Sequence, residues 1–222
     1  MKRMITPLLF GLIGAAILVA LGVWQLQRLE WKQGILNQIE SRIIGTAAPL
    51  PARPDSAVDR YQPVDLTGTI LPGEIHVLVS VKQIGPGYRV ISPFETAGRT
   101  LLLDRGFIPV EDVGLERRGG PATVRGNLHW PDDRNSSTPD NDVAGNIWFA
   151  RDIDQMAQVL GAEPLLIISR EVSPADLGVT PLPVDTVGIP NDHLQYAITW
   201  FSLALVWLVM TAAYLRRARK PE

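Results

Sequence analysis

Two long stretches without a charged side chain, one near each end, constrain this chain more than any other feature. The first runs over the 20 residues from Ile5 to Trp24 and the second over the 22 residues from Leu194 to Leu215. A helix needs about 20 apolar residues to cross a bilayer. Because lipid leaves every backbone polar group to be bonded within its own segment, a helix is the expected form. The sequence therefore predicts transmembrane helices over residues 5–26 and 191–215.

The first stretch also has an alternative interpretation, as a cleaved signal peptide. Met1–Met4 would be its basic start, and Ala20-Leu21-Gly22 offers small residues for cleavage. The apolar stretch is longer than the roughly 7–15 residues of a typical signal peptide, so a retained helix is favoured. The second stretch has no such alternative.

The distribution of charge predicts the orientation of the two helices. The chain has 21 basic and 23 acidic residues, but its ends are basic, with Lys2 and Arg3 before the first helix and a basic tail over residues 216–222. Because basic flanks stay on the cytoplasmic side, both termini are predicted to be cytoplasmic and residues 27–190 periplasmic, in a bacterial inner membrane. The corresponding sides in an organelle are the matrix and the intermembrane space.

The net charge of −2 argues against nucleic-acid binding, and the absence of cysteine excludes disulfides and thiolate metal sites.

The middle of the chain is predicted to be one β-rich domain reached through an amphipathic helix around residues 29–43. Strand patterns separated by turn residues cover residues 61–71, 74–82, 88–94, 100–110, 123–130 and 164–172. Asp152 and Gly161 bracket one short helix. The predicted fold is thus an α+β membrane protein, in which two transmembrane helices flank an external antiparallel β-sheet or partial barrel with one or two short helices.

An enzymatic function has little support in the residues. His76 and His129 fall on the polar sides of strands and are interpreted as solvated, and no histidine pair has the spacing of a metal site. No phosphate-binding glycine motif or nucleophile elbow is present. Asp104-Arg105-Gly106 lies inside an apolar strand, where a buried ion pair or a turn is favoured over catalysis.

His193 is the one histidine placed for a special role, because it lies at the start of the second predicted transmembrane helix, with Asn191 as its predicted N-cap. One helical stripe carries His193, Tyr196, Ala197, Trp200, Ala204 and Trp207. Imidazole is a common axial ligand of haem iron, and the alanines would let a flat macrocycle approach the backbone. At the same depth the first helix ends with Trp24, Gln25, Arg28 and Trp31, and Arg28 could pair with a propionate. The simpler alternative, an interfacial histidine within an aromatic belt, remains open on spacing alone.

Five motifs in order along the chain resemble those of the Surfeit locus protein one family, the assembly factors of haem-copper cytochrome oxidase. They are Gly22-Val23-Trp24-Gln25-Leu26-Gln27-Arg28-Leu29-Glu30-Trp31-Lys32, Asp65-Leu66-Thr67-Gly68, Gly87-Tyr88-Arg89-Val90-Ile91-Ser92-Pro93-Phe94, Asp104-Arg105-Gly106-Phe107-Ile108-Pro109 and Asn191-Asp192-His193-Leu194-Gln195-Tyr196-Ala197-Ile198-Thr199-Trp200-Phe201. The layout of two spans around an external domain is similar as well.

The resemblance implies that the chain binds haem a as cargo and aids its insertion into oxidase subunit I, with no catalytic activity of its own. It implies that His193 ligates the haem iron. Position adds Tyr196, Trp200, Trp24 and Arg28 as further contacts, with the haem between the outer ends of the spans beneath the external domain. Expected partners are subunit I, the lipid bilayer and, as a further one, haem a synthase.

Two alternatives accompany this hypothesis. The chain could be a cofactor-free membrane scaffold that stabilises a subunit I intermediate. It could also be a membrane enzyme that uses the carboxylates of its domain, although these are scattered without a convergent histidine or serine.

Overall fold

The structure, a computed structural model, describes residues 2–82, 84–176 and 178–218. The chain divides into two compact units. Both ends of the chain, up to residue 38 and from residue 186 onward, form the first. The second comprises Ile39–Asp185.

Two long helices form the first unit, as the uncharged stretches predict. Helix α1 spans Lys2–Ile43 and helix α3 spans His193–Ala218. Both are long and apolar enough to cross a membrane, so they are compatible with a two-span membrane protein. Arg216 and Arg217 are exposed in the last turn of α3, whereas residues 219–222 of the predicted basic tail and the side chains of Lys2 and Arg3 lie outside the described part. The predicted side of the membrane for each terminus stays a prediction.

Six strands form the sheet of the second unit. They are β1 (Pro63–Ile70), β2 (Ile75–Val81), β3 (Gly85–Thr96), β4 (Arg99–Pro109), β5 (Gly120–His129) and β6 (Leu166–Ser173). Their order is β1-β5-β6-β4-β3-β2, and β1 also pairs with β3 through Thr69–Glu95 and Ile70–Phe94. That second pairing joins five strands into a ring, with β2 added outside on β3. The short pairing of β1 with β3 therefore closes the predicted partial barrel.

The prediction of an all-antiparallel sheet is wrong at one place. Strand β6 lies between β5 and β4, antiparallel to β5 but parallel to β4 over Leu102–Asp104. A parallel pair needs a long crossover, and here β5, the loop after it and helix α2 (Ile153–Leu160) supply that crossover. The sheet is therefore mixed.

Two apolar clusters cover opposite faces of this parallel pair. The first includes Leu101, Leu103 and Ile167, and the second includes Leu102 and Leu166. Because both faces are buried, β4 and β6 carry unbroken apolar runs where an alternating pattern would mark a half-exposed strand. The second cluster also contains Trp148 and, from α2, Met156 and Ala157.

Helix α2 matches its predicted limits. Gly161 ends the helix in the left-handed conformation with φ of 64°, which glycine adopts without steric cost. Asp152 occupies the N-cap position but makes no side-chain capping bond, because its carboxylate accepts hydrogen bonds from Arg134 and Asn141. A single 3-10 turn over Val110–Asp112 is the other short helix of the described residues.

Candidate functional site

Helices α1 and α3 pack against each other in antiparallel fashion along a seam of small residues. Gly11, Ala15 and Gly22 of α1 are buried, as are Ala197 and Ala204 of α3. A Cβ atom on Gly22 would lie 2.7 Å from the ring of Phe201, so glycine is what allows this approach. The Trp207 indole Nε1 donates a hydrogen bond to the carbonyl oxygen of Gly11 at 2.9 Å, which satisfies the only polar atom of the indole.

The seam ends in a hydrogen bond between His193 and Gln25. His193 Nδ1 lies 2.8 Å from Gln25 Oε1, and Gln25 is 9% exposed. An amide oxygen can only accept, so Nδ1 carries the proton and Nε2 keeps a lone pair. Nε2 has no hydrogen-bond partner among the described residues. The geometry thus holds a half-buried imidazole in one tautomer with its other nitrogen available to a metal.

Helix α3 begins one residue later than an Asn191 N-cap requires. The carbonyl oxygen of Asp192 accepts the first helical bond, from the backbone N–H of Tyr196 at 3.1 Å, so Asp192 holds the N-cap position and the prediction for Asn191 is wrong. Asn191 Oδ1 is instead a buried acceptor without a partner in the described part of the chain. An unpaired buried acceptor of this kind costs about 1–3 kcal/mol.

The other predicted contacts lie near the same end of the helix pair. Tyr196 and Trp24 are 55% and 51% exposed, and Trp200 is half-buried. Arg28 follows Gln25 by one turn of α1, and its guanidinium carbon lies 4.2 Å from the centre of the Trp31 ring. Arg28 has no ion pair within the ranges that the structure describes. Its donors are therefore available for an anionic group.

One element of the predicted geometry is wrong. The alanines of the α3 stripe were expected to let a flat macrocycle approach the backbone, but Ala197 and Ala204 are only 1% and 3% exposed because they pack directly on α1. The seam is closed from Gly11 to Gln25. These two alanines therefore leave no space for a macrocycle against the α3 backbone.

Both strand histidines are partly buried, contrary to the sequence-based interpretation that they are solvated. His76 Nε2 lies 2.7 Å from Glu74 Oε1, with 12% of its side chain exposed. His129 Nδ1 is buried without a partner among the described atoms. Burial, with the charges of Arg151 and Arg60, lowers the pKa of His129 to about 4, so this imidazole is neutral at pH 7.

Asp104 and Arg105 form buried ion pairs, as favoured above, although with different partners. Asp104 Oδ2 lies 2.6 Å from Arg89 Nη1, and Arg105 Nε lies 2.6 Å from Asp176 Oδ2. A bulge opposite Val90 and Ile91 makes Arg105 the extra residue of β4, which turns consecutive side chains toward separate partners. No group of three metal-binding side chains occurs in the described residues.

The Glu74 carboxylate is expected to make the domain sensitive to acid. Burial alone would raise the pKa of Glu74, but hydrogen bonds from His76 and Arg117 outweigh it and lower the pKa from 4.5 to about 2. A carboxylate with a lowered pKa stabilises the fold above its ordinary pKa, and this contribution disappears as the pH falls from 4.5 toward 2. We expect Glu74→Gln to lower the melting temperature at pH 7, with a free-energy cost of about 3 kcal/mol.

The difference between the Glu74→Gln variant and the natural chain should narrow steadily in acid melts below about pH 4. Asp65→Asn is the matched control, since the Asp65 carboxylate pairs with Arg125 at the surface and is 47% exposed. This control should change stability by less than about 1 kcal/mol. A Glu74→Gln penalty that stays constant down to pH 2 would contradict the assignment.

Comparison with known proteins finds relatives that match most of this chain. The model of the SURF1 family matches residues 12–205. The chain is 34% identical over 211 residues to Surfeit locus protein 1 of Xenopus tropicalis, covering 83% of this chain and 67% of that protein. It is 31% identical over 209 residues to Surfeit locus protein 1 of Homo sapiens, covering 83% and 69%. A SURF1-like protein of Rickettsia prowazekii is 30% identical over 217 residues, covering 92% and 88%.

Proposed function

The chain belongs to the SURF1 family of cytochrome c oxidase assembly factors, and we propose that it binds haem a and aids its insertion into oxidase subunit I. The family is one of assembly factors rather than of enzymes, so the proposal includes no chemical turnover. The chain would act as a carrier that receives the pigment, holds it and releases it.

The observation that carries this proposal is the state of His193. Its Nδ1 donates to Gln25, and its Nε2 has no hydrogen-bond partner in the part of the chain that the structure describes. A hydrogen bond on one imidazole nitrogen fixes the orientation of the ring and makes the other nitrogen a better ligand. His193 would therefore supply one axial ligand to the haem iron. The haem would lie on the face of the helix pair that also exposes Tyr196 and Trp24.

The surrounding side chains fit the rest of the ligand. Tyr196 and Trp24 expose aromatic surface on which a porphyrin can pack, and Trp200 adds a partly covered ring. Arg28, free of an ion pair in the described residues, would bind a propionate through its planar fork of donors. A single histidine ligand on an open surface also favours release, because only one coordinate bond has to break.

The proposed setting is a bacterial inner membrane, with residues 27–190 in the periplasm. Along α1 and α3 most apolar side chains are exposed, among them Phe10 at 67% and Met210 at 66%. Apolar surface on this scale is costly in water and is at no disadvantage in lipid. The bilayer, subunit I and haem a synthase are the proposed partners.

A cofactor-free scaffold for subunit I is the second candidate, and the closed seam favours it. The small residues of α3 that would have admitted a macrocycle contact α1 instead, so the helix pair is already complete without a ligand. In this case His193 and Gln25 would serve only to hold the two helices together.

An absorption spectrum of the purified chain separates these two candidates. Produced in cells that synthesise haem a, the carrier should purify with haem a, at up to one per chain, and with the Soret band of an imidazole-ligated iron. The scaffold should purify without pigment yet still bind subunit I. A colourless preparation from such cells would overturn the carrier proposal.

A further inference from the structure

An apolar groove lies on the helix pair, deeper along the helices than His193. The groove is open to one side and has a volume of about 490 Å³, within the range of small-molecule sites. Its lining consists of Gly14, Ile17, Leu18, Leu203, Val206, Trp207 and Met210. Since the indole N–H of Trp207 is bonded to Gly11, the groove presents hydrocarbon and aromatic surface almost without polar atoms.

The groove lies on the same side of the helix pair as the candidate haem contacts. On α1 the spacing of three and four residues continues from Gly14 and Ile17 through Leu21 to Trp24 and Arg28. On α3 steps of seven residues connect Tyr196 to two lining positions, Leu203 and Met210. Leu18 and Gln25 are seven residues apart, which is roughly 10 Å along a helix. One continuous strip therefore leads from the imidazole to the groove.

The chemistry of haem a matches this arrangement. Haem a has a polar edge with two propionates, an iron centre and a long farnesyl chain on the opposite side of the ring, whereas haem b lacks that chain. With the iron on His193 and a propionate on Arg28, the farnesyl chain would extend toward the apolar end of the strip. We propose that the groove binds the isoprenoid chain of haem a, an inference that rests on the proposed function.

Binding of the farnesyl chain in the groove is expected to select haem a among haems and to orient it. Lipid tails are as apolar as the groove, so transfer of the chain from lipid supplies little hydrophobic free energy. Contact with the shaped surface of Gly14 and Trp207 adds dispersion energy, and attachment to a porphyrin already bound at His193 makes the second contact intramolecular. We therefore expect the protein to bind a haem with the farnesyl group about tenfold more tightly than a haem without it.

Binding of haem o and haem b to the purified full chain in detergent tests this inference. Haem o carries the farnesyl chain but has the peripheral methyl group of haem b. The difference in affinity between these two haems therefore measures the effect of the farnesyl chain. The natural protein should bind haem o about tenfold more tightly than haem b. Val206→Trp, which places an indole in the groove, should remove that preference while leaving haem b affinity unchanged. Leu205→Trp is the matched control, because Leu205 is 64% exposed and does not line the groove.

Each other outcome has a definite meaning. Equal affinity for haem o and haem b in the natural chain, or a Val206→Trp loss that affects both haems alike, overturns the groove assignment and leaves the carrier function standing. A phospholipid that remains bound in native mass spectra and disappears only in Val206→Trp, with haem preference intact, assigns the groove to lipid and also overturns it. Loss of subunit I binding alone in that variant overturns it in favour of a partner helix. Failure of the natural chain to bind any haem overturns the proposed function itself.

Discussion

Replacement of His193 by alanine is expected to weaken haem a binding by more than about 100-fold, because it removes the only proposed protein ligand to the iron. Cells that supply haem a should then yield the variant nearly colourless, with any residual pigment lacking the spectrum of imidazole ligation. The measurement is the ratio of Soret to protein absorbance, followed by haem titration of the purified chain.

Three comparisons separate ligation from a purely structural role of His193. Gln195→Ala changes an exposed side chain in the same first turn of α3 and should leave the spectrum unchanged. Gln25→Leu removes only the acceptor for Nδ1, so it should reduce affinity by roughly 10-fold to 100-fold while preserving imidazole ligation. Added imidazole should restore the spectrum of a His193→Gly variant. Full haem occupancy with an unchanged spectrum in His193→Ala would show that the iron ligand lies elsewhere.

The sequence predicts the helices well because their cause is local. An uncharged run of 20 residues leaves few alternatives to a long helix, and the strand and turn signals of the domain are equally local. The parallel contact between β4 and β6 is different, because it depends on which strands become neighbours. Its one visible sign is the unbroken apolar run in each strand, Leu101–Leu103 and Leu165–Ile168, which signals burial on both faces.

The candidate site was only partly predictable, since its central bond joins residues that are 168 positions apart. The position of His193 on its stripe indicated a role, but nothing near it identifies Gln25 as its partner. A signal does exist in α1, where Gly11, Ala15, Leu18, Gly22 and Gln25 recur at alternating steps of four and three. Such a seam is typical of a helix packed on another helix. It predicts a closed interface, and therefore argues against a macrocycle between the spans.

The strand histidines illustrate a related limit on predicting side-chain exposure from the sequence. Alternation assigns His76 and His129 to the less apolar face of a strand, but it does not say what covers that face. Distant segments do so for His76, through the Asn146 amide and the Arg117 guanidinium. Whether a polar strand residue is solvated thus depends on loops that strand periodicity does not describe.

Two of the motifs that suggested the family are brought together by a buried ion pair. Arg89, from the motif in β3, places Nη1 2.6 Å from Oδ2 of Asp104, from the motif in β4. The Asp104 side chain has no exposed surface, and its Oδ1 accepts a hydrogen bond from the backbone N–H of Gly106 at 3.1 Å. Gly106 has a φ of 130°, which side-chain-bearing residues rarely adopt. These motifs therefore maintain the domain, whereas the motif around His193 builds the candidate site.

Arg89→Met is accordingly expected to be the most destabilising of the domain substitutions considered. Burial raises the pKa of Asp104, and Arg89 opposes that rise, so removal of the guanidinium leaves a buried carboxylate without its counter-ion. The expected loss is about 3–5 kcal/mol, or a fall of roughly 10 °C in melting temperature. Arg125→Met, which breaks exposed ion pairs with Asp65 and Glu171, should cost less than about 1 kcal/mol.

The double variant Arg89→Met with Asp104→Asn tests whether the loss of stability comes from the Asp104 carboxylate left without its counter-ion. Asparagine keeps an oxygen for the Gly106 N–H and carries no charge, so the double variant should recover most of the stability lost in Arg89→Met. The measurement is a double-mutant cycle of melting temperatures at pH 7. If the two substitutions instead add independently, the guanidinium stabilises the domain through its other contact, the carbonyl oxygen of Leu182 at 3.1 Å, and the ion pair between the motifs is not the cause.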